Sequence, residues 1–317
     1  MILSALQGVR VRAKRAARRT RARWRAAGPN TKGAAWILLA AIAITIMSVL
    51  VKLIDGRLNP FQITFLRTGM LVLVLPLLFR RFDLSGLRAP RPFLLIVRSI
   101  MATVSISLAY VAIARLPLAD AQAITFASTL FLVPLAALLL GESIGVRRWS
   151  AAIVGFLGVL IVLRPSGDMN IGALAALASA FLFAATITAV TLLSRVMPTT
   201  AVFLYGTVLM CLFSAIPAFV YWTPPTPREW GLLFAIACVG AVSQYSAVRG
   251  FSTGEASAIG PVDYTRLIFA TAAGVIWFDE RPDIWTGLGA AVIVGSTLYI
   301  SWREAQRGAK SKVNADA

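Results

Sequence analysis

The pentapeptide DAQAI at residues 120–124 returns as EASAI at residues 255–259: an acid, two alanines around a polar residue, then isoleucine. Their surroundings agree as well. Tyr110 stands ten residues before Asp120, and Tyr245 stands ten before Glu255. GES, with Glu142, follows the first phrase and DER, with Glu280, the second, at intervals of 22 and 25 residues from the two acids. Trp149 and Trp285 then open two Gly- and Ala-rich stretches, WSAAIVGFLGVLIV and WTGLGAAVIVGSTLYI. Upstream, PFQITFLRTGM from Pro60 resembles PTTAVFLYGTV from Pro198, which sets Arg67 opposite Tyr205. So many matches in one order identify two copies of a single unit.

The solvent for that unit follows from composition. Of 317 residues 58% are hydrophobic and 14% charged, and the mean hydropathy is +0.79, which points to a bilayer. The chain has no histidine, which excludes a Ser-His-Asp triad, a His-ligated metal and a histidine proton relay. Its two cysteines, Cys211 and Cys238, lack a CxxC spacing and read as small apolar residues. No GxxxxGK[ST] loop for a nucleoside triphosphate is present. The sequence calls for no cofactor, no metal and no enzymatic activity.

Ten segments are long and apolar enough to cross about 30 Å of hydrocarbon: 33–53, 62–79, 93–114, 119–140, 149–164, 171–194, 199–221, 230–250, 256–278 and 284–302. The connectors, such as DGRLN, RPSGD and TPPTPRE, are short and rich in helix-terminating residues. With a cytoplasmic N-terminus, 23 of the 31 Lys and Arg fall on the cytoplasmic side and six opposite, while Arg67 and Arg266 lie within spans. Both termini are therefore expected in the cytoplasm. The net charge of +18 is concentrated in residues 1–32, which hold ten basic residues and no acid. Lying directly before a span, this stretch reads as an uncleaved basic tail against anionic lipids rather than a nucleic-acid arm.

The predicted fold is all-α, with ten transmembrane helices in two five-helix units at 33–164 and 171–302 between cytoplasmic tails at 1–32 and 303–317. Five is odd, so the second unit enters the membrane from the other side. Such inverted repeats form a midplane site open alternately to either face. The phrases LPLADAQAITF, PLAALLLGES and WSAAIVGFLGVLIV, with EASAIGPVDYTRL and FDERPDIWTGLGAAVIVGSTLYI, resemble the repeat ending of the EamA branch of the drug/metabolite transporter superfamily. The resemblance covers nearly everything after residue 32. It implies a secondary transporter of small amphipathic metabolites in a bacterial inner membrane, with a central cavity built mainly from the third, fourth, eighth and ninth spans. Amino-acid export, aromatic amino acids included, is the favoured substrate reading, with riboflavin or S-adenosylmethionine uptake as the alternative. An intramembrane enzyme with paired carboxylates, or a membrane scaffold, is the alternative of another class. No two acids fall at helical spacing within a span, which weighs against the enzyme.

Candidate substrate-binding residues are the polar groups inside the spans. Asp263 and Arg266, three apart in GPVDYTRLIFA, can pair on one face beside Tyr264, either to meet a substrate or to fix helix packing. Arg98, Ser105 and Tyr110 come from the third span, with Arg98 near enough to the surface to anchor the helix instead. Gln122 and Thr125 come from the fourth, and Gln244 and Tyr245 from the eighth; their alternative role is interhelical hydrogen bonding. Glu142 and Glu280 read as loop-capping acids. Arg67, aligned with a neutral tyrosine, either pairs with an acid or lines the cavity. The Gly- and Ala-rich fifth and tenth spans leave a homodimer open.

Overall fold

The computed structural model describes residues 28–54, 56–78, 90–141, 145–163, 170–253, 259–281 and 283–315. Residues 1–27 of the basic tail, Glu142, Arg80, Arg81, Arg88, and all of EASAI except Ile259 lie outside them. Every element among the described residues is helical. They are α1 (Pro29–Lys52), α2 (Pro60–Leu78), α3 (Pro92–Arg115), α4 (Leu118–Thr125), α5 (Ala127–Leu140), α6 (Val146–Leu163), α7 (Ile171–Ser194), α8 (Thr199–Val220), α9 (Pro227–Thr253), a 3-10 turn (Gly260–Tyr264), α10 (Thr265–Phe278) and α11 (Ile284–Ala315). Among the described residues, six stretches have the length and apolarity to cross a bilayer: α1, α3, α4 with α5, α7, Ala201–Val220 of α8, and α9.

Local chemistry sets the helix ends. Proline occupies the first turn of α1 and α3, where its missing N–H costs nothing. Asn170 caps α7 by accepting the Gly172 N–H at 2.9 Å. At α9, Thr226 and Glu229 form a reciprocal capping box: the Glu229 carboxylate accepts the Thr226 N–H at 2.7 Å, and the Thr226 hydroxyl accepts the Glu229 N–H at 3.3 Å.

The helices that follow the two repeated phrases share a backbone shape. α5 and α10 are each 14 residues long, and each ends on a left-handed residue, Gly141 at φ 68° and Asp279 at φ 51°. In both, the N–H of that residue returns to the carbonyl five residues earlier, Ala136 or Gly274. The expected fourth and ninth spans are not continuous helices. The first breaks at Phe126, whose N–H is shared between the Gln122 and Ala123 carbonyls at 3.3 and 3.2 Å, while Thr125 and Thr129 hydroxyls bond to backbone carbonyls nearby. The second passes through a 3-10 turn containing Pro261, which has no N–H for an α-helical bond.

The broadest interfaces are α3 with α7, α1 with α9, α6 with α11 and α2 with α8. Each joins one half of the chain to the other. Exchanging the halves turns α3–α7 into α9–α1 and leaves α6–α11 and α2–α8 unchanged, so the packing has the symmetry of the sequence. Small side chains permit these approaches: α7 buries Ala173, Ala176, Ala180 and Ala184. Between α6 and α11, a Cβ on Gly158 would stand 2.9 Å from the Gly289 carbonyl oxygen, and one on Gly289 would stand 2.6 Å from that of Gly158. These glycines are therefore used inside the chain. Leu157, Leu160 and Leu288 on the same helices are exposed, as residues facing lipid would be.

Gly289→Val should force α6 and α11 apart at a cost of about 1–3 kcal/mol. Thermal melting of the detergent-purified protein should register a clear loss of stability; an unshifted transition would mean the backbones do not meet there.

Candidate substrate site

The two helix breaks lie against each other. At the first, the Phe126 ring centroid is 5.0 Å from that of Tyr264, and the Arg266 guanidinium lies 4.6 Å above the Phe126 ring. Arg266 and Asp263 pair across the junction of the 3-10 turn and α10, with a nitrogen–oxygen distance of 3.9 Å. This contact is too long for a strong hydrogen bond. The Arg266 side chain is 12% exposed and that of Asp263 is 36% exposed, so the carboxylate has open surface while the cation is held inside. Buried Arg266 Nε has no hydrogen-bond partner. An aromatic pair, a cation and an incompletely engaged acid can receive a flat group together with a polar end.

α1 walls this region, packing on the 3-10 turn, α10, α9 and α3. Two adjacent residues of α1 face two polar groups. Ser48 Oγ accepts a hydrogen bond from Gln122 Nε2 at 3.1 Å, and the buried Gln122 Oε1 is left without a partner. Met47 Sδ lies 3.8 Å from Arg67 Nη1, which donates to Tyr110 Oη at 2.5 Å. Ser246 Oγ of α9 is a further buried hydroxyl without a partner.

The remaining predicted residues do not join this group. Ser105 and Ser179 exchange hydrogen bonds with each other's carbonyls at 2.9 and 2.8 Å, a clamp between α3 and α7. The Thr125 hydroxyl is bound to the Ala121 carbonyl of its own helix. Arg98 packs on Gly206 of α8, where any Cβ would collide with its guanidinium, and its buried Nε lacks a partner. Gln244 is exposed, and Tyr245, 55% exposed, accepts from Arg249 Nε at 3.0 Å and meets Trp36 edge-on. That places α9's polar pair on the periphery, because the inner face of α9 is taken by α1.

Arg67 is the residue the candidate set omits. Its signal was a charge inside a span; its juxtaposition with Tyr110 crosses 43 residues of sequence and no spacing rule exposes it. Among the described residues it has no carboxylate partner.

Side-chain ties between the halves gather at one end of the bundle. Lys52, the last residue of α1, pairs with Glu280 and donates to the Leu116 carbonyl at 2.6 Å; Glu280 also accepts the Leu118 N–H at 2.8 Å. Glu280 is thus the capping acid expected, on the α4 of the other half. Arg57 pairs with Glu229 and donates to the Pro224 carbonyl at 2.8 Å, and hydrogen bonding to Glu229 raises the Arg57 guanidinium above its ordinary value. The Gln62 amide grips both polar groups of the Thr223 backbone, at 2.7 and 3.1 Å. Asp120 accepts from Thr286 at 2.6 Å, and beside it a cavity of about 210 Å³ is lined by Pro117, Ala119, Asp120, Thr271, Glu280, Arg281 and Asp283.

The EamA-like transporter family matches the chain twice, over residues 31–164 and 170–302. Among curated proteins, an S-adenosylmethionine uptake transporter of Rickettsia prowazekii is 28% identical, over 86% of this chain and 93% of its own. A pseudopaline exporter of Pseudomonas aeruginosa is 31% identical over 83% and 94%, and a riboflavin transporter of Rhizobium johnstonii is 26% identical over 88% and 93%. One solved crystal structure superposes with a TM-score of 0.58 over 86% of this chain and 96% of its own, at 24% identity, which shows the shared fold.

Asp263→Asn and Arg266→Gln should each weaken transport about tenfold or more, the scale of one charge-assisted hydrogen bond. Ser105→Ala should instead lower the melting temperature, by about 1 kcal/mol of stability, and leave the apparent substrate affinity alone. Side-by-side flux and melting measurements separate the two; a Ser105→Ala variant with normal stability and impaired affinity would return Ser105 to the site.

Proposed function

Because the chain belongs to the EamA-like transporter family, and is a transporter rather than an enzyme, we propose that it carries a small amphipathic metabolite with an amino-acid end, of the S-adenosylmethionine class, by alternating access. The observation that carries this reading is the cluster of Phe126, Tyr264, Arg266 and Asp263 where two broken spans meet against α1. Irregular backbone at membrane depth is tolerated where it is buried in protein or lines a water-filled cavity. Phe126 and Tyr264 suit a flat heterocycle, and Asp263 suits an ammonium or sulfonium.

Amino-acid export was the favoured sequence reading; the relatives described above name S-adenosylmethionine, pseudopaline and riboflavin instead, and they run in both directions. The proposal therefore keeps the amino-acid end, adds the flat group, and leaves direction to the substrate gradient, by facilitated diffusion or exchange. Ten spans in two inverted units, with both termini on the cytoplasmic side of a bacterial inner membrane and the basic tail against anionic lipid, complete it. Support comes from the half-exchange symmetry of the packing and from the basic-residue count. In this arrangement the Lys52–Glu280 and Arg57–Glu229 ties close the non-cytoplasmic end.

Counterflow into proteoliposomes, with S-adenosylmethionine, tryptophan and riboflavin as separate substrates, tests the reading. S-adenosylmethionine should accumulate ahead of riboflavin. Riboflavin counterflow alone would reassign the substrate class, and no counterflow of any of the three would remove the proposal. Impermeant labelling of both chain ends checks the topology: ends on opposite faces contradict the inverted pair.

A further inference from the structure

We propose that Arg67 is the anchor for the substrate's carboxylate, an inference that rests on the transport reading above and narrows it to substrates bearing that group. Arg67 is the eighth residue of α2, roughly 10 Å along the helix from its first residue. Its neighbours come from three other helices and both halves of the chain: Tyr110 of α3, Met47 of α1 and Gly240 of α9, where a Cβ would lie 3.4 Å from the Arg67 Nε. The side chain therefore points into the bundle rather than at lipid.

A guanidinium has five N–H donors and cannot give up its charge. Here one donor meets the Tyr110 oxygen and the same nitrogen approaches a thioether, a weak acceptor. No carboxylate among the described residues neutralises it. A charge held at membrane depth without a counter-ion is costly, and such residues mark substrate pathways. The contrast with the other embedded arginine is direct: Arg266 has Asp263, and its orphan Nε is fully enclosed, whereas no nitrogen of Arg67 is among the enclosed unpartnered atoms and the residue is only partly buried. Its remaining donors are thus not sealed in, as a position that receives an anion requires. Gly240 leaves room on one side, and Tyr110 fixes the fork from the other, so a planar carboxylate can take two parallel N–H donors. Riboflavin has no carboxylate, whereas S-adenosylmethionine and free amino acids do. Arg67 is then a discriminator among the three substrate classes considered.

The test compares ligand pairs that differ by that group alone: S-adenosylmethionine with its decarboxylated analogue, and tryptophan with tryptamine. Binding to the purified full chain is read by thermal shift and by competition in counterflow. The wild type should prefer the carboxylate member of a pair about tenfold or more, the scale of a charge-assisted contact. Arg67→Gln should erase that preference by weakening only the carboxylate member, and Arg67→Lys should restore part of it. A preference that survives Arg67→Gln overturns the proposal, as does a wild type that binds both members equally. If the wild type binds none of the four, the substrate reading fails separately, and a second measurement decides Arg67. Arg67→Cys, with Cys211 and Cys238 changed to serine, should react with a water-borne anionic methanethiosulfonate; no reaction from either face of the membrane would mean that no anion reaches the position.

Discussion

The structure depends on interfaces that cross between the halves. In hydrocarbon the backbone must bond to itself, so the chain is helical, and helices surrounded by lipid gain nothing from hiding leucine. What holds them is close approach. Alanines of α7, Gly250 of α9 against Gly33 of α1 and the mutual contact of Gly158 and Gly289 let the backbones meet, and the four broadest interfaces all join residues before 164 to residues after 170. The buried clusters among the described residues draw on both halves. Any site on the central line is consequently built from both, and any motion of one half against the other acts on that site first.

The helical rule is broken at two corresponding places, Phe126 and Gly260–Tyr264, and polar chemistry gathers there. The breaks have different local causes, a shared N–H beside two threonines in one half and Pro261 in the other. They serve one geometry: each places a short segment before a 14-residue helix that ends in the same left-handed turn. The symmetry of backbone does not extend to charge. Asp263 and Arg266 have no charged counterparts beside Phe126, and Arg67 is matched by Tyr205. In the proposed site, a frame built on the repeat would thus present a one-sided lining, which is what binding an asymmetric solute requires.

This difference between frame and lining explains what could be read from the sequence. The duplication, the helical class and the family resemblance were carried by periodic apolar runs and by motifs in order, both properties of the frame. Asp263, Tyr264 and Arg266 were legible because charges three apart on a helix must meet or be met. Tyr110 and Tyr245 occupy matching positions, yet one is buried against Arg67 and the other exposed beside Arg249. Their fates differ because Tyr245 finds its arginine four residues along its own helix, while Tyr110 finds one on a different helix. Ser105 was read as polar lining and is a clamp, since its partner Ser179 lies 74 residues away and alanine-rich packing brings the two carbonyls within reach. Repeat alignment locates positions but says nothing about which face of a helix the neighbours cover.

The tied end adds a constraint on the proposed cycle. Lys52 binds a carboxylate from the other half and a carbonyl from its own, and Glu280 holds the first N–H of α4 as well as Lys52. An ion pair alone at an accessible surface contributes little, roughly 0–1 kcal/mol. Here both partners are largely buried and carry additional hydrogen bonds, so separating them exposes two charges and two backbone groups together. In the proposed cycle, opening that end would therefore be a discrete event rather than a gradual loosening. A solute shifts such a two-state equilibrium only by the difference in its affinity for the two states. A ligand that engages residues of both halves, as the cluster at the breaks would, is placed to supply that difference, because it bridges the same two bodies that the latch joins.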